Sequence, residues 1–294
     1  MARTSARDFF EYIPLRLAVG LLDSIPSGPG LAFGRAVGKF AWPLLKGRRE
    51  TAVANVLKAG ITADPLEARR IAQASFESFG MVGVESLAAM RLVTPDTLER
   101  HVEMSIPSAT AAVLDDPAQG VILVTGHLGN WELSGHIIAF RKKLVAVARS
   151  MNNPRVQRYL LHRNPRMNIE IVAKHAKDSL SLLRPLRAGR MLGIIADQHA
   201  ASHGVKAMFF GHPAMTVASP ARLHLATGCP LVCGCCLRTG PMRFKVIAGE
   251  PLRFEKSADR EADLLKITQT LNDQLETYIR LCPEQYLWAH RRWR

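Results

Sequence analysis

Apolar residues along the chain follow two rhythms, and the change falls near Gly120. From residue 9 to about 105 they recur at helical spacing, with Pro14, Pro26, Pro29, Pro43, Pro65 and Pro95 as punctuation between segments. This predicts a helical N-terminal layer. Asp64 is placed to cap a helix entered through Pro65 and Glu67, and Ile71, Ala74, Ser75, Ser78 and Phe79 continue its rhythm. After Gly120, short apolar runs at 121–125, 144–148, 169–172 and 191–196 read as buried strands, with helices over 131–140, 153–162 and 177–188 between them. That alternation predicts an α/β fold with a largely parallel central sheet flanked by helices. Residues 216–227 read as a helix, 231–237 and 243–248 as strands joined through Thr239, Gly240 and Pro241, and 258–281 as a long amphipathic helix. No internal repeat or linker interrupts the pattern. The expected organisation is an N-terminal helical, membrane-associating region over 1–105 and an α/β core over 106–294, integrated into one domain.

Charge sharpens the reading of the N-terminal layer. The chain of 294 residues carries 39 Lys and Arg against 25 Asp and Glu, a formal charge of +14 that favours an anionic partner. Aromatic residues are only 6%, and no zinc-finger, RNP or Walker pattern occurs, so a nucleic-acid partner lacks its usual stacking and docking elements. A membrane surface fits better. Residues 9–25 are apolar but hold Glu11, Arg16 and Asp23, which argues against a charge-free span, and no small-residue cleavage site follows a compact apolar core, which argues against a removable export signal. In 31–45, Phe33, Val37, Phe40, Ala41 and Leu44 share a helical face while Arg35, Lys39 and Lys46 add positive charge, as an interfacial helix on anionic lipid requires. An ordinary amphipathic helix covering a core has the same periodicity.

The five cysteines, four of them at Cys229, Cys233, Cys235 and Cys236 and the fifth at Cys282, are odd in number and crowded into an apolar stretch. Reduced, buried thiols are expected rather than disulfides or a zinc knuckle. His199 and His203 have a metal-like spacing but no evident third ligand, so a metal site is not expected there.

The segment that carries chemistry is VILVTGHLGNWEL, 121–133, where an apolar strand runs into Gly126 and His127 and a new helix starts near Asn130. On a continuous helix the five-residue offset between His127 and Glu132 would set their side chains about 140° apart. If Gly129 and Asn130 make a turn instead, the Glu132 carboxylate can fold back toward the imidazole. A His backed by a carboxylate is a general base for an attacking hydroxyl, and the N–H groups of the new helix can stabilise an oxyanion. A capping Asn beside a solvent-facing His in a βα loop has the same spacing.

GHLGNWEL resembles the H-x4-E/D signature of the lysophospholipid acyltransferase superfamily, in its bacterial lipid A biosynthesis acyltransferase branch. Further segments match in order: Arg48, Arg49 and Asn55; FESFGMVGVE at 76–85; Arg149 with Asn152, Asn153 and Pro154; ADQ at 196–198; FFGHP at 209–213; ARLHLATG at 221–228; and PEQYLWAHRR at 283–292. The resemblance spans roughly residues 45 to 294. It implies an acyltransferase at the cytoplasmic face of the bacterial inner membrane, with acyl carrier protein or coenzyme A thioesters as donor, a lipid hydroxyl as acceptor, and no metal or bound cofactor. His127 is then the base and Glu132 its orienter. Arg149, Asp197, Asn130, Gln198 and Arg222 are implied as substrate-binding residues, Arg149 near anionic groups and Asp197 paired with it. A structural salt bridge between the two is the other reading.

Departures from the family's pattern lie at Ala196, where Pro is usual, in 199–204, and in 163–167, which lacks glycine; they bear on the acceptor. The rival within the same chemistry is another glycolipid or aminolipid, such as a phosphatidylinositol mannoside. A rival of another class is a non-catalytic, basic peripheral membrane or nucleic-acid-binding protein. Arg291, Arg292 and Arg294 flank Trp288 and Trp293, a combination suited to headgroup anchoring or to an acidic carrier protein.

Overall fold

A computed structural model describes residues 6–148, 153–162, 168–173, 180–200 and 204–294. Four helices lead: α1 (Ala6–Ser24), α2 (Ser27–Leu44), α3 (Lys46–Lys58) and α4 (Pro65–Leu92). The Asp64 carboxylate accepts the Leu66 N–H and caps α4. Pro14 and Pro43, expected between segments, lie inside α1 and α2 instead. A short turn, α5 (Leu98–His101), then leads into a strand, β1 (Val102–Ser105), where the helical rhythm was expected to persist.

Beyond α6 (Ser108–Asp115) come β2 (Val121–Thr125), α7 (Trp131–Ile138), β3 (Leu144–Ala148), α8 (Pro154–His162), β4 (Ile169–Ala173), α9 (Leu180–Arg187) and β5 (Met191–Ile195). These agree with the expected alternation. The next pair, β6 (Val205–Phe209) and β7 (His212–Thr216), is an antiparallel hairpin that periodicity did not reveal. Its turn uses positive φ at Phe210 (50°) and Gly211 (72°), so the FFGHP segment is a tight turn. The helix expected from 216 begins only after β7, as α10 (Ser219–Thr227). β8 (Leu231–Gly240), β9 (Arg243–Ala248) and α11 (Arg260–Leu281) complete the fold.

The seven-stranded sheet has the order β1-β9-β8-β2-β5-β3-β4, and every neighbouring pair is parallel except β8 with β9. Its centre is dry: Ile122, Val124, Leu192, Leu231 and Cys233 share one buried cluster with Trp42, Ala52 and Val56 from the N-terminal helices and Ile267 and Leu271 from α11. Chemistry in such a sheet gathers at the carboxyl ends of strands.

α2 packs with its small side inward. A Cβ on Gly38 would come within 2.2 Å of the Phe76 carbonyl oxygen, and one on Gly34 within 2.8 Å of the Gly80 carbonyl oxygen. The large apolar residues therefore face away from α4, leaving Phe33, Val37, Phe40 and Leu44 exposed. Among the described residues, no helix is long and apolar enough to cross a membrane.

Candidate active site

The register of β2 against β5 builds the site. Thr125 pairs with Ile195, so the residues two beyond each strand end, His127 and Asp197, emerge side by side although 70 positions separate them. His127 Nδ1 lies 2.8 Å from Asp197 Oδ1, and the His127 backbone N–H donates to Oδ2 at 2.7 Å. Gly126 keeps the approach close, since a Cβ there would sit 3.2 Å from the Asp197 carboxylate.

The chain then turns through Gly129, at φ 58°, where a Cβ would meet the Cys236 carbonyl oxygen at 2.0 Å; only glycine fits. Asn130 follows, fully buried. Its side-chain oxygen accepts the Leu133 N–H at 2.9 Å and the Ser86 hydroxyl at 3.2 Å, while its amide donates to Glu85. Glu85 is itself buried in an ion pair with Arg238. Asn130, a candidate substrate contact in the sequence, thus caps α7 and fixes the turn. The 76–85 segment supplies its support.

Nδ1–H donating to a carboxylate leaves Nε2 unprotonated, which is the tautomer of a proton acceptor. The Gln198 side-chain amide lies 3.4 Å from that Nε2, at the position a hydroxyl giving up its proton would take. Burial alone would lower the His127 pKa, but the Asp197 charge and hydrogen bond, with a smaller contribution from the Glu132 charge, outweigh it and raise it above 6.5. Asp197 shows the converse. Burial would raise its carboxyl, but His127, through charge and two hydrogen bonds, and then Arg292 hold it below the ordinary range.

Glu132 is the second residue of α7, exposed, and lines the neighbouring cavity; among the described residues no hydrogen bond joins it to His127. The carboxylate in contact with the imidazole is Asp197, because adjacent strand ends deliver it directly while the first turn of α7 carries Glu132 to the cavity side. Its influence on the ring is through charge. Asp197 is paired with His127. Arg149, expected beside Asp197, lies outside the described residues, as do Asn152, the 163–167 segment and His203. Arg222 stands partly buried on α10. It is not among the described contacts of the imidazole, which are Asp197, Gln198 and Trp131.

Trp131 links His127 to an apolar cavity of about 550 Å3, a size common for ligand sites. The two rings lie 5.0 Å apart, and Thr125, Trp131 and Glu132 line the near part of the cavity. Leu15 of α1, Met90 of α4 and Ile169 of β4 are among the side chains enclosing the rest. An aliphatic chain could lie there with its polar end beside the imidazole.

Periodicity did not find the C-terminal part of the site. Tyr286, Trp288 and Arg292 are buried at 5%, 1% and 2% exposure, which removes Trp288 and Arg292 from any role in headgroup anchoring. The density of aromatic and basic residues in PEQYLWAHRR is the available signal, and it points outward to headgroups or a carrier protein rather than inward to the site.

Compared with known families, the sequence matches that of the bacterial lipid A biosynthesis acyltransferases over residues 15–294. Among curated proteins, none matches the chain.

Proposed function

Because this chain belongs to the bacterial lipid A biosynthesis acyltransferase family, we propose that it moves a fatty acyl group from an acyl carrier protein or coenzyme A thioester to a hydroxyl of a lipid A precursor. The observation that carries this reading is the imidazole of His127, held by a buried carboxylate beside an apolar cavity. In the reaction, His127 Nε2 takes the hydroxyl proton as the oxygen attacks the thioester carbonyl carbon. The tetrahedral adduct collapses, the C–S bond breaks, and the imidazolium returns the proton to the departing thiolate. Ester and free thiol are the products.

Asp197 stabilises the imidazolium during the step, and Glu132 adds a second negative charge from the cavity side. The N–H groups of Trp131 and Glu132 donate to no acceptor among the described residues, and in this reading they receive the oxyanion. Gln198 yields its place on Nε2 to the acceptor hydroxyl. Arg149 and Arg222 are assigned to anionic groups of donor or acceptor. The exposed apolar face of α2, with Phe9, Phe10, Leu17 and Leu21 of α1, docks the protein on the anionic cytoplasmic face of the inner membrane.

The test is transfer from an acyl thioester to an added lipid A precursor, followed by mass spectrometry of the product. His127→Ala is expected to lose at least about two orders of magnitude. A folded His127→Ala protein that transfers at the normal rate would falsify the mechanism. The pH dependence has a defined sign: because the ring's pKa is raised, activity falls on the acid side through a midpoint above 6.5 as the base becomes protonated.

A further inference from the structure

The strand register gives the apolar cavity beside His127 its shape. Alternate residues of a strand share one face of the sheet, and such residues of neighbouring strands form the cavity's sheet side. Thr125 and Ile195 pair in the row nearest His127. In the row beneath, Gly193 pairs with Leu123 on one side and with Ala146 on the other, and Ala146 pairs with Ile171. Two small residues therefore lie between two large ones, which leaves a trough along β5 and β3.

The trough ends at Leu144. Leu144 pairs with Met191, four residues down β5 from Ile195, so its row lies about 13 Å from the upper one at roughly 3.3 Å per residue. Its side chain spans the gap between sheet and helix. Cδ1 lies 3.4 Å from where a Cβ on Gly193 would sit, and Cδ2 lies 3.4 Å from where a Cβ on Gly135 of α7 would sit. Leu144 is 3% exposed and belongs to a packed cluster. Leu114, Ile138 and Val232 of that cluster also reach the cavity, while Val121, Ala139 and Met191 stand behind them. Among the described residues, the deep end is thus closed by packed side chains.

We infer that Leu144 is the floor on which the far end of the acyl chain comes to rest, and that Leu144 and Gly193 together decide how long a chain the protein accepts. The inference rests on the proposed acyl transfer, with the thioester at His127 and the chain running down the trough. Each methylene that enters the cavity is worth about fourfold in affinity. A chain that has reached Leu144 gains nothing from a further methylene, because a close-packed floor yields only by unfavourable overpacking. The missing side chain at Gly193 keeps the trough open, and Leu144 sets where it stops.

The test is displacement of a fluorescent fatty acid from the full-length protein in detergent micelles by straight-chain saturated fatty acids of graded length. Dividing each variant's affinity by that of wild type at the same length cancels partition of the acid into detergent. In Leu144→Ala the ratio is expected to be level for short chains and to rise about tenfold for chains beyond the wild-type limit. In Gly193→Val it is expected to fall at least about tenfold for long chains while short ones stay within about twofold. A change that only loosens the fold would lower affinity at every length by the same factor. Should one variant fail to fold, the other carries the decision; should both fail, Gly193→Ala, whose Cβ makes only ordinary contacts, is expected to show the long-chain fall at about fourfold. The inference is overturned if a folded variant gives the same ratio at all lengths, or if wild type binds none of the acids. Binding needs no acceptor, so a level ratio in a protein whose transfer is abolished by His127→Ala removes the floor and leaves the reaction standing.

Discussion

Two amphipathic helices in this protein bury opposite faces. α11 turns Leu264, Ile267, Leu271, Leu275 and Ile279 into the core and leaves its charged side in water, as a core-covering helix should. α2 buries Gly30, Gly34 and Gly38 together with Leu31 and Trp42, and exposes Phe33, Val37, Phe40 and Leu44. The small face of α2 is the one that lets its backbone reach α4, where a methyl group on Gly38 would collide with main chain. Its large face remains unburied, forgoing roughly 1.5–3 kcal/mol per large side chain that full burial would yield. The contrast shows that an apolar stripe reports the presence of an apolar neighbour, which for α11 is the core and for α2, in the proposed reading, is lipid.

The difference can be broken most severely from the α11 side. Leu271→Ala, at a residue 4% exposed, is expected to cost about 2–5 kcal/mol, read from the denaturant midpoint with unchanged slope. Gly38→Ala attacks the α2 contact by overpacking and is expected to cost about 1–3 kcal/mol in the same measurement. An unperturbed Gly38→Ala protein would show that α2 does not depend on close backbone approach. Phe40→Ser, on the outward face, is expected to leave folding stability within about 0.5 kcal/mol of wild type. Its partitioning onto anionic vesicles should fall about tenfold, which is about 1.4 kcal/mol. If binding is unchanged instead, the outward stripe is not the docking surface. The smallest effect is expected at Gly20 inside α1, where an added Cβ meets nothing within 4 Å; Gly20→Ala should be neutral or stabilising by up to about 1 kcal/mol.

Much of the core was legible along the chain because its strands are continuous apolar runs. β2, β3 and β9 coincide with their expected spans, and β4, β5 and β8 differ only at their ends. The β6–β7 hairpin escaped detection: its strands are short, Pro213 interrupts one of them, and its turn depends on Phe210 adopting positive φ, which no sequence rule anticipates. β1 was absorbed into the preceding helical rhythm, being four residues long. At the site, His127 and the turn through Gly129 were readable from spacing. The partner of its Nδ1 was not, because the nearest carboxylate in sequence, Glu132, is less well placed than one 70 positions away. The family resemblance singles out Asp197 but places Arg149, which lies outside the described residues, beside it.

What the sequence determined by itself was local: the order and type of most elements, the strand-to-turn junction at His127, and the two stripes that make α2 and α11 amphipathic. Their periodicities are properties of the backbone and hold wherever a segment lies. Only the tertiary structure decided that β5 lies beside β2, bringing Asp197 to the imidazole, that Asn55 and residues 285–292 meet behind it, and which face of α2 turns inward. Those outcomes depend on hydrogen bonding and packing between distant segments. Spacing within any one segment does not encode them.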